Sequence, residues 1–436
     1  MIFKRKMNKD LQATFRNSLW KVVAGPISLL CLPYFLTAME QGYWYTFTGI
    51  AALSVFADLG FTTIVLQFSA HEFAYLHFTA DRTLCGDSTR LWRLASFFRF
   101  VLQWLVKVIG IIFPLIMIGG FFFLAAKHDD LDWEWAWCIY SLASVGLFFN
   151  SAILSFFEGC NSVSVVQNIR FRMSVAQVSI MVLALYLDFN IYALGLSILA
   201  NVLMSTVNLL YYFRKAIYQL WNVSRYDCYD WWPEFSSLIW RYGISWSSGY
   251  FIFQIFTPIA FYFHGAEFSG KIGISIAMWT AGFSVANTWL TAIIPRLNML
   301  IAERKWKELD DLFMKNLYRT IGTMVIGGGS YFVIYYALAG EFHFFQRVLP
   351  PFVMAMLFIS WIMQSWVNCI AIYLRAHKKE PLMQISVING IWVAITTYLC
   401  ARFLPAEYLF LGFMSQYWSV VIIYRIFKKQ QMAHWG

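Results

Sequence analysis

Long apolar stretches separated by short charged segments extend along the whole chain. In the stretch from residue 46 to residue 69 the only ionisable side chain is that of Asp58. As a helix this stretch would be about 36 Å long, compared with about 30 Å of bilayer hydrocarbon, so it is expected to cross a membrane. Runs of about 17 to 25 apolar residues predict twelve such spans. Their predicted bounds are residues 18–38, 45–69, 100–126, 135–157, 173–188, 191–213, 241–263, 271–295, 319–338, 348–374, 382–403 and 407–427.

The lysines and arginines fall mostly on one side of this predicted topology. With both termini on the same side, that side carries 28 of the 33 basic residues. The opposite side carries Lys127, Lys271, Arg347 and Arg402, and Lys107 lies within a span. Cytoplasmic loops of membrane proteins are enriched in lysine and arginine, so both termini are predicted to be cytoplasmic.

The polar segment 214–240 divides the predicted spans into two sets of six. We therefore predict an all-α, polytopic integral membrane protein with an N-terminal six-helix lobe (1–213), a cytoplasmic linker (214–240) and a C-terminal six-helix lobe with a cytoplasmic tail (241–436). Gly42 and Gly270 open the second span of their respective halves, and this correspondence favours an internal repeat.

The segment 296–318 is charged but carries apolar residues at helical spacing, namely Trp306, Leu309, Phe313 and Leu317. An apolar stripe among charges is typical of a helix that lies in the membrane interface. We interpret the segment as an interfacial helix that connects two spans.

Composition agrees with a membrane protein and excludes several functions. The chain is 60% hydrophobic, and its net charge of +10 comes from cations that flank apolar runs, so no nucleic acid is predicted to bind. The seven cysteines form no CxxC pair, and neither a disulfide, a metal nor a cofactor is predicted. The run HEFAYLH resembles a zinc motif, but Tyr75 stands where the second histidine is needed. With no nucleophile and base pair, the sequence does not predict an enzyme.

Asp58 and Lys107 are the ionisable residues predicted to lie deepest in the membrane. A carboxylate inside hydrocarbon costs about 2.5 to 3.5 kcal/mol on insertion scales, so Asp58 is expected to face a polar cavity or a cation. One interpretation pairs it with Lys107 along a transport path. In the other, Lys107 reaches to the lipid headgroups and Asp58 caps a helix break at Gly60.

Lys21 and Arg241 begin the first span of each half, where they either receive an anionic headgroup or only set orientation. Uncharged polar residues inside spans, Gln254 and Asn287 among them, either line a hydrophilic path or bond helices together. The full set is Asn150, Gln177, Asn201, Asn208, Gln254, Asn287, Gln364, Asn368, Gln384 and Asn389.

Two stretches resemble a known family. The run QGYWYTFTGIAALSVFADLGFTTIVLQFSA, with Asp58-Leu59-Gly60, resembles the second span of the polysaccharide-exporter (Wzx-type) flippases of the multidrug/oligosaccharidyl-lipid/polysaccharide exporter superfamily. The run FEGCNSVSVVQNIR is similar to the exit of the family's fourth span, with Glu158 and Arg170 at matching places. Glu158 therefore joins the candidate residues for the substrate path or for coupling.

The resemblance implies a flippase that carries a polyprenyl-pyrophosphate-linked oligosaccharide across the bacterial inner membrane by alternating access, for O-antigen, lipopolysaccharide, capsule or exopolysaccharide assembly. Its implied partners are the lipid-linked oligosaccharide, the bilayer, polysaccharide assembly proteins, and protons or sodium coupled through Asp58. The alternatives are a multidrug extruder of the same superfamily, a membrane-embedded polysaccharide polymerase or ligase, and a scaffold of an assembly complex. One deep acid beside a lysine, instead of several acids, favours the glycan.

Overall fold

The computed structural model describes residues 2–127, 131–224, 229–338, 340–377 and 381–432 of the chain. Nearly all of this part is helical, apart from a two-stranded hairpin and short connections. The helices are α1 (Ile2–Phe35), α2 (Ala38–Ala51), α3 (Val55–Asp58), α4 (Phe61–Phe73), α5 (Ser88–Ala125), α6 (Glu134–Gly159), α7 (Val163–Tyr186), α8 (Tyr192–Val223), α9 (Trp232–Phe253), α10 (Phe256–His264), α11 (Ala266–Thr291), α12 (Ile294–Ala302), α13 (Trp306–Leu338), α14 (Pro351–Ala376), α15 (Met383–Phe403), α16 (Leu411–Ser415) and α17 (Val420–Met432).

Each of the twelve predicted spans coincides with one helix or with an interrupted series of helices, which confirms the all-α membrane fold. Among the described residues, nine helices are individually long and apolar enough to cross a membrane. The second span makes a tenth, in which α2 and α3 are followed by α4 at a bend of 40°. Helices suit this environment because their backbone groups are hydrogen-bonded within the same segment.

One expectation from the sequence is wrong. The segment from Trp306 to Leu317 is not a separate interfacial helix, because α13 continues without a break to Leu338. Leu309, Phe313 and Leu317 are buried and pack with α14 and α17. The apolar stripe therefore covers a protein core instead of the bilayer surface.

A small antiparallel hairpin interrupts the helices between α4 and α5. Its strands β1 (Leu76–Phe78) and β2 (Leu84–Gly86) pair in the register Leu76 with Gly86 and Phe78 with Leu84. Thr79 and Thr83 close the connection through their hydroxyl groups, which are 2.7 Å apart.

The chain forms two compact units, Met1–Cys31 with Ile50–Ser247 and Leu32–Gly49 with Ser248–Gly436. Segment 32–49 of the predicted N-terminal lobe thus lies in the second unit, and segment 241–247 lies in the first. Most of the predicted linker is helical, since α8 ends at Val223 and α9 begins at Trp232. The division into two repeated six-helix lobes stays a prediction.

The core of the first unit is rich in phenylalanine. The rings of Phe157 on α6 and Phe213 on α8 stack with centroids 4.0 Å apart, and the ring of Phe98 on α5 lies 6.3 Å from that of Phe157. Such pairs add about 0.5–1.5 kcal/mol each beyond the apolar area that they bury. They join α5, α6 and α8 into one body.

In the second unit, α2 packs on α11 with almost no space between the backbones. We call this contact the glycine seam, formed by Gly42 of α2 and by Gly270 and Gly273 of α11. A Cβ atom added at Gly270 would lie 2.8 Å from the backbone nitrogen of Gly42, and one at Gly42 would overlap the carbonyl group of Ala266. Small residues permit this approach, which is a common basis of helix association in membranes.

Hydrogen bonds complete the glycine seam. The hydroxyl groups of Thr46 on α2 and Ser269 on α11 are buried and lie 3.0 Å apart, and Ser269 also bonds the carbonyl of Thr257, with their oxygens 2.9 Å apart. The side-chain amide of Gln41 donates to the carbonyl of Gly270 with a nitrogen–oxygen distance of 2.9 Å. The seam therefore combines close packing with buried polar contacts.

Replacing Gly42 by alanine is expected to destabilise the second unit by about 1–3 kcal/mol, the usual range for overpacking a filled contact. Thermal unfolding of the purified protein in detergent measures the change. Gly282→Ala on α11 is the matched control, because an added Cβ there meets nothing within 4 Å. Unfolding of Gly42→Ala at the same temperature as the unmodified protein would show that the seam can relax.

Candidate functional site

The second span is broken at Asp58, the residue that the sequence marks most strongly. Leu59 and Gly60 both have left-handed backbones, with φ of 43° and 76°, and a 3-10 turn precedes α3. This break frees backbone groups at the start of α4. The carboxylate of Asp58 accepts hydrogen bonds from the backbone N–H of Thr62, at 3.1 Å, and from its hydroxyl, at 3.3 Å. Asp58 thus makes the capping contact that the sequence analysis kept as an alternative.

The predicted ion pair between Asp58 and Lys107 is not formed. Ala57 and Val108 belong to one buried cluster with Phe113, so α3 does pack beside α5 at this level. Lys107, however, lies at the protein surface, and within the described residues it makes no ion pair of 4.0 Å or less. Because neighbouring residues of a helix differ by about 100° in direction, the buried position of Val108 turns Lys107 away from α3. A transport role for either residue stays a prediction.

Glu158, at the end of α6, is the centre of a polar network between three helices. Its carboxylate accepts hydrogen bonds from Arg170, with a nitrogen–oxygen distance of 2.7 Å, and from Gln167, at 2.8 Å. Gln167 in turn accepts a hydrogen bond from Asn17 of α1, at 2.9 Å. The network anchors α1 and α7 to α6, and its arginine neutralises the carboxylate.

The other candidates are dispersed over the two units. Lys21 is exposed on α1, and the backbone of Arg241 lies in α9 while its side chain lies outside the described part of the structure. Gln254 is exposed at the interruption between α9 and α10. Asn287 is buried on α11 and accepts a hydrogen bond from Asn368 of α14, at 3.0 Å.

Several other polar residues of the spans bond helices together. The side-chain amide of Asn150 on α6 donates to the Ser205 hydroxyl on α8, at 2.7 Å, and Asn201 on α8 donates to Gln177 on α7, at 2.8 Å. In membranes such bonds contribute about 0.6 kcal/mol each on average. These residues hold neighbouring helices in register.

A buried ionic cluster at Glu72 was not predicted from the sequence. This carboxylate is 4% exposed. It accepts a hydrogen bond from Nη1 of Arg90, with a nitrogen–oxygen distance of 3.0 Å, and lies 3.2 Å from Nε of Arg93. The guanidinium of Arg93 also lies over the rings of Tyr229 and Trp231, at 4.4 and 4.9 Å from their centroids. The cluster fixes the end of α4 to the start of α5 and to the segment that precedes α9. In the sequence, two arginines three residues apart were the feature that could have indicated such a cluster.

A second ionisable pair lies beside this cluster, outside the spans. The hydroxyl of Tyr229 donates to the carboxylate of Glu234, with their oxygens 2.7 Å apart. This hydrogen bond raises the pKa of the Tyr229 phenol above its usual value, since ionisation would remove the donor and create two adjacent negative charges. Tyr229 therefore stays a neutral donor at physiological pH.

The sequence of the chain matches no family model, and a comparison with curated proteins found no match either. Its structure is similar to that of a MATE transporter in the bent conformation, with a TM-score of 0.53 at 11% identity, over 98% of this chain and 96% of that chain. It is also similar to a multidrug resistance MATE family transporter of the MOP superfamily in an inward-facing conformation, with a TM-score of 0.51 at 10% identity, over 94% and 98% of the two chains. An outward-facing transporter of that description gives a TM-score of 0.51 at 13% identity, over 97% and 96%. The chain therefore shares the helical fold of MATE transporters of the MOP superfamily.

Proposed function

We propose that this protein is a transporter that works by alternating access and that its cargo is a polyprenyl-pyrophosphate-linked oligosaccharide. The observation that carries the transporter proposal is the shared fold, which extends over almost the whole chain. The proposed location is the bacterial inner membrane, where the oligosaccharide would be delivered for surface polysaccharide assembly. Proteins of that assembly are the proposed partners.

The charges of the described residues support an anionic cargo. Three acids lie in the second span or at the end of the fourth, and each already has a partner within the protein. Asp58 caps α4, Glu72 binds two arginines and Glu158 binds Arg170. An organic cation would have to displace one of these contacts, and a lost hydrogen bond to a charged group costs about 1.5–3 kcal/mol. Lys21 and Lys107, by contrast, lie at the surface without an ion pair among the described residues.

Extrusion of small organic cations is the second candidate, because two of the similar structures are multidrug resistance transporters. Fold alone does not select a cargo, since one fold hosts several functions. The two candidates differ in what must be neutralised, a pyrophosphate or a cation, and they can be compared in one preparation.

The purified protein in liposomes is expected to move a fluorescent polyprenyl-pyrophosphate oligosaccharide from one leaflet to the other. Accessibility of the fluorophore to a membrane-impermeant quencher measures the movement. A fluorescent organic cation, tested in the same liposomes with and without a proton or sodium gradient, serves as the competing cargo. If only the cation moves, the protein is a multidrug extruder and the flippase proposal is wrong. If neither molecule moves, both proposed functions are contradicted.

We further propose that the glycine seam opens during transport. By the predicted topology, α2 and α11 both begin at the outer side of the membrane, so the seam closes that side. Cysteines at positions 46 and 269 would place two sulfur atoms where hydroxyl oxygens lie 3.0 Å apart, and oxidation tests whether they crosslink. The oxidised double variant, in a background without the seven native cysteines, is expected to lose transport and to regain it on reduction.

The single variants Thr46→Cys and Ser269→Cys, oxidised in the same way, control for the substitutions themselves. Gel mobility after protease cleavage between the two positions shows how much of the protein is crosslinked. Undiminished transport by fully crosslinked protein would mean that the seam stays closed throughout the cycle.

Asp58 is proposed to take part in coupling as a charge and not only as a cap. Asparagine caps helices about as well as aspartate, whereas alanine costs about 0.5–2 kcal/mol. Asp58→Asn is therefore expected to keep the unfolding temperature but to lower transport by at least about tenfold, which corresponds to about 1.4 kcal/mol. Asp58→Ala and Thr62→Val remove cap bonds and report the structural contribution. Normal transport by Asp58→Asn would assign the residue to the break alone.

A further inference from the structure

A basic cavity of about 560 Å³ lies between the tip of the hairpin and α8, within the first unit. We call it the hairpin cavity. Its polar lining consists of three cations, one carboxylate and two tyrosines: Arg82, Arg214, Lys215, Asp81, Tyr211 and Tyr212. These residues carry a formal charge of +2, and none of them belongs to the site proposed for transport.

The hairpin is fixed to α8 by a side chain that hydrogen-bonds the backbone of β2. The amide group of Gln219 accepts from the backbone N–H of Leu84 at 2.7 Å and donates to its carbonyl at 2.8 Å. Phe78 of β1 packs on Phe213 of α8, with ring centroids 6.3 Å apart. The wall of the hairpin cavity is therefore built by long-range contacts and is not a loose loop.

Arg82 is held in place at the mouth of the hairpin cavity. Its backbone is left-handed, with φ of 64°, and its guanidinium donates to the Tyr211 carbonyl at 2.9 Å. The same guanidinium lies 5.0 Å from the ring centroids of Tyr211 and Tyr212. Neither Arg82 nor Arg214 pairs with a carboxylate in the described part of the chain. Lys215 lies 3.9 Å from Asp81, but both side chains are at least half exposed.

The level of the hairpin cavity in the membrane follows from the length of α8. From Tyr192, about 20 residues at 1.5 Å per residue cross the 30 Å of hydrocarbon, so the helix leaves it near residue 211. Tyr211 and Tyr212 then lie at the interface, where tyrosines anchor membrane proteins, and Arg214 and Lys215 lie among the headgroups. On the predicted topology this is the cytoplasmic leaflet.

We propose that the hairpin cavity binds the phosphate of an anionic phospholipid from the cytoplasmic leaflet. Arginine presents several N–H donors in a fixed fork that matches phosphate oxygens, and within the described residues Arg82 uses only one of its donors. Lys215 can exchange its weak contact with Asp81 for the phosphate, and the tyrosines border the glycerol region. The inference holds whichever cargo the transporter carries.

Native mass spectrometry of the full chain in detergent tests the proposal, with phosphatidylglycerol, phosphatidylcholine and inorganic phosphate as separate probes. Phosphatidylglycerol is expected to bind at least about tenfold more tightly than phosphatidylcholine, since each basic residue near an anionic lipid contributes about fivefold and the cavity holds three. The triple variant Arg82→Gln/Arg214→Gln/Lys215→Gln is expected to lose this preference.

A matched triple variant, Lys307→Gln/Arg425→Gln/Lys429→Gln, removes three exposed cations of the same predicted side and is expected to keep the preference. Asp81→Asn removes the carboxylate and is expected to tighten phosphatidylglycerol binding, which keeps the test informative if the cavity variant unfolds. Equal loss in both triple variants would mean general surface attraction, and binding of inorganic phosphate with the affinity of the lipid would mean a site for free phosphate. Either result, or unchanged binding in the cavity variant, would overturn the proposal.

Discussion

Hydrocarbon offers no hydrogen-bond partner to a peptide group, and this constraint explains most of what the structure does away from its ends. Continuous helices satisfy it directly, whereas the second span does not, because α3 stops at Asp58 and α4 starts at Phe61. The cost of that interruption is limited by the carboxylate of Asp58, which accepts the freed N–H of Thr62. Lone backbone groups in lipid cost several kcal/mol each, so a break at this depth requires such a partner.

The same constraint determines how helices associate. Lipid chains are as apolar as leucine, so helices are held together by close contact and by bonds between polar groups. The glycine seam uses both, since Gly42 and Gly270 bring the backbones together and the Thr46 and Ser269 hydroxyls bond across them.

Hydropathy predicted the spans because their burial in lipid depends on local composition alone. It placed the starts of two spans too late in the chain: α5 begins at Ser88 and not near residue 100, and α13 begins at Trp306 and not near 319. Helices continue past the hydrocarbon wherever protein covers them, and that depends on contacts between distant segments. The Asp58 cap was accessible from the sequence since its partner, Thr62, is four residues away.

Contacts between distant segments could not be predicted from local spacing in the sequence. Glu72 meets arginines on another helix, and the hairpin is fixed by Gln219, 135 residues beyond Leu84. The expected ion pair of Asp58 with Lys107 is absent although the depth was predicted, since depth follows from counting residues. The direction of a side chain depends on which face of its helix packs against the protein. Val108 is the residue that packs with Ala57 of α3.

The boundary between the two compact units lies in the second span, shortly before the break at Asp58. It falls at Gly49 and Ile50, and the 3-10 turn at Ala52–Ser54 and the left-handed residues 59 and 60 follow within about three turns of helix. Departures from α-helical bonding inside a span are frequent at functional hinges, since they are where a helix can change direction without losing all its internal bonds. The part of the second span up to Gly49 belongs to one unit, and the part from Ile50 onward belongs to the other. The carboxylate of Asp58 keeps the backbone N–H of Thr62 hydrogen-bonded at this break, so α4 begins with a partner for that group.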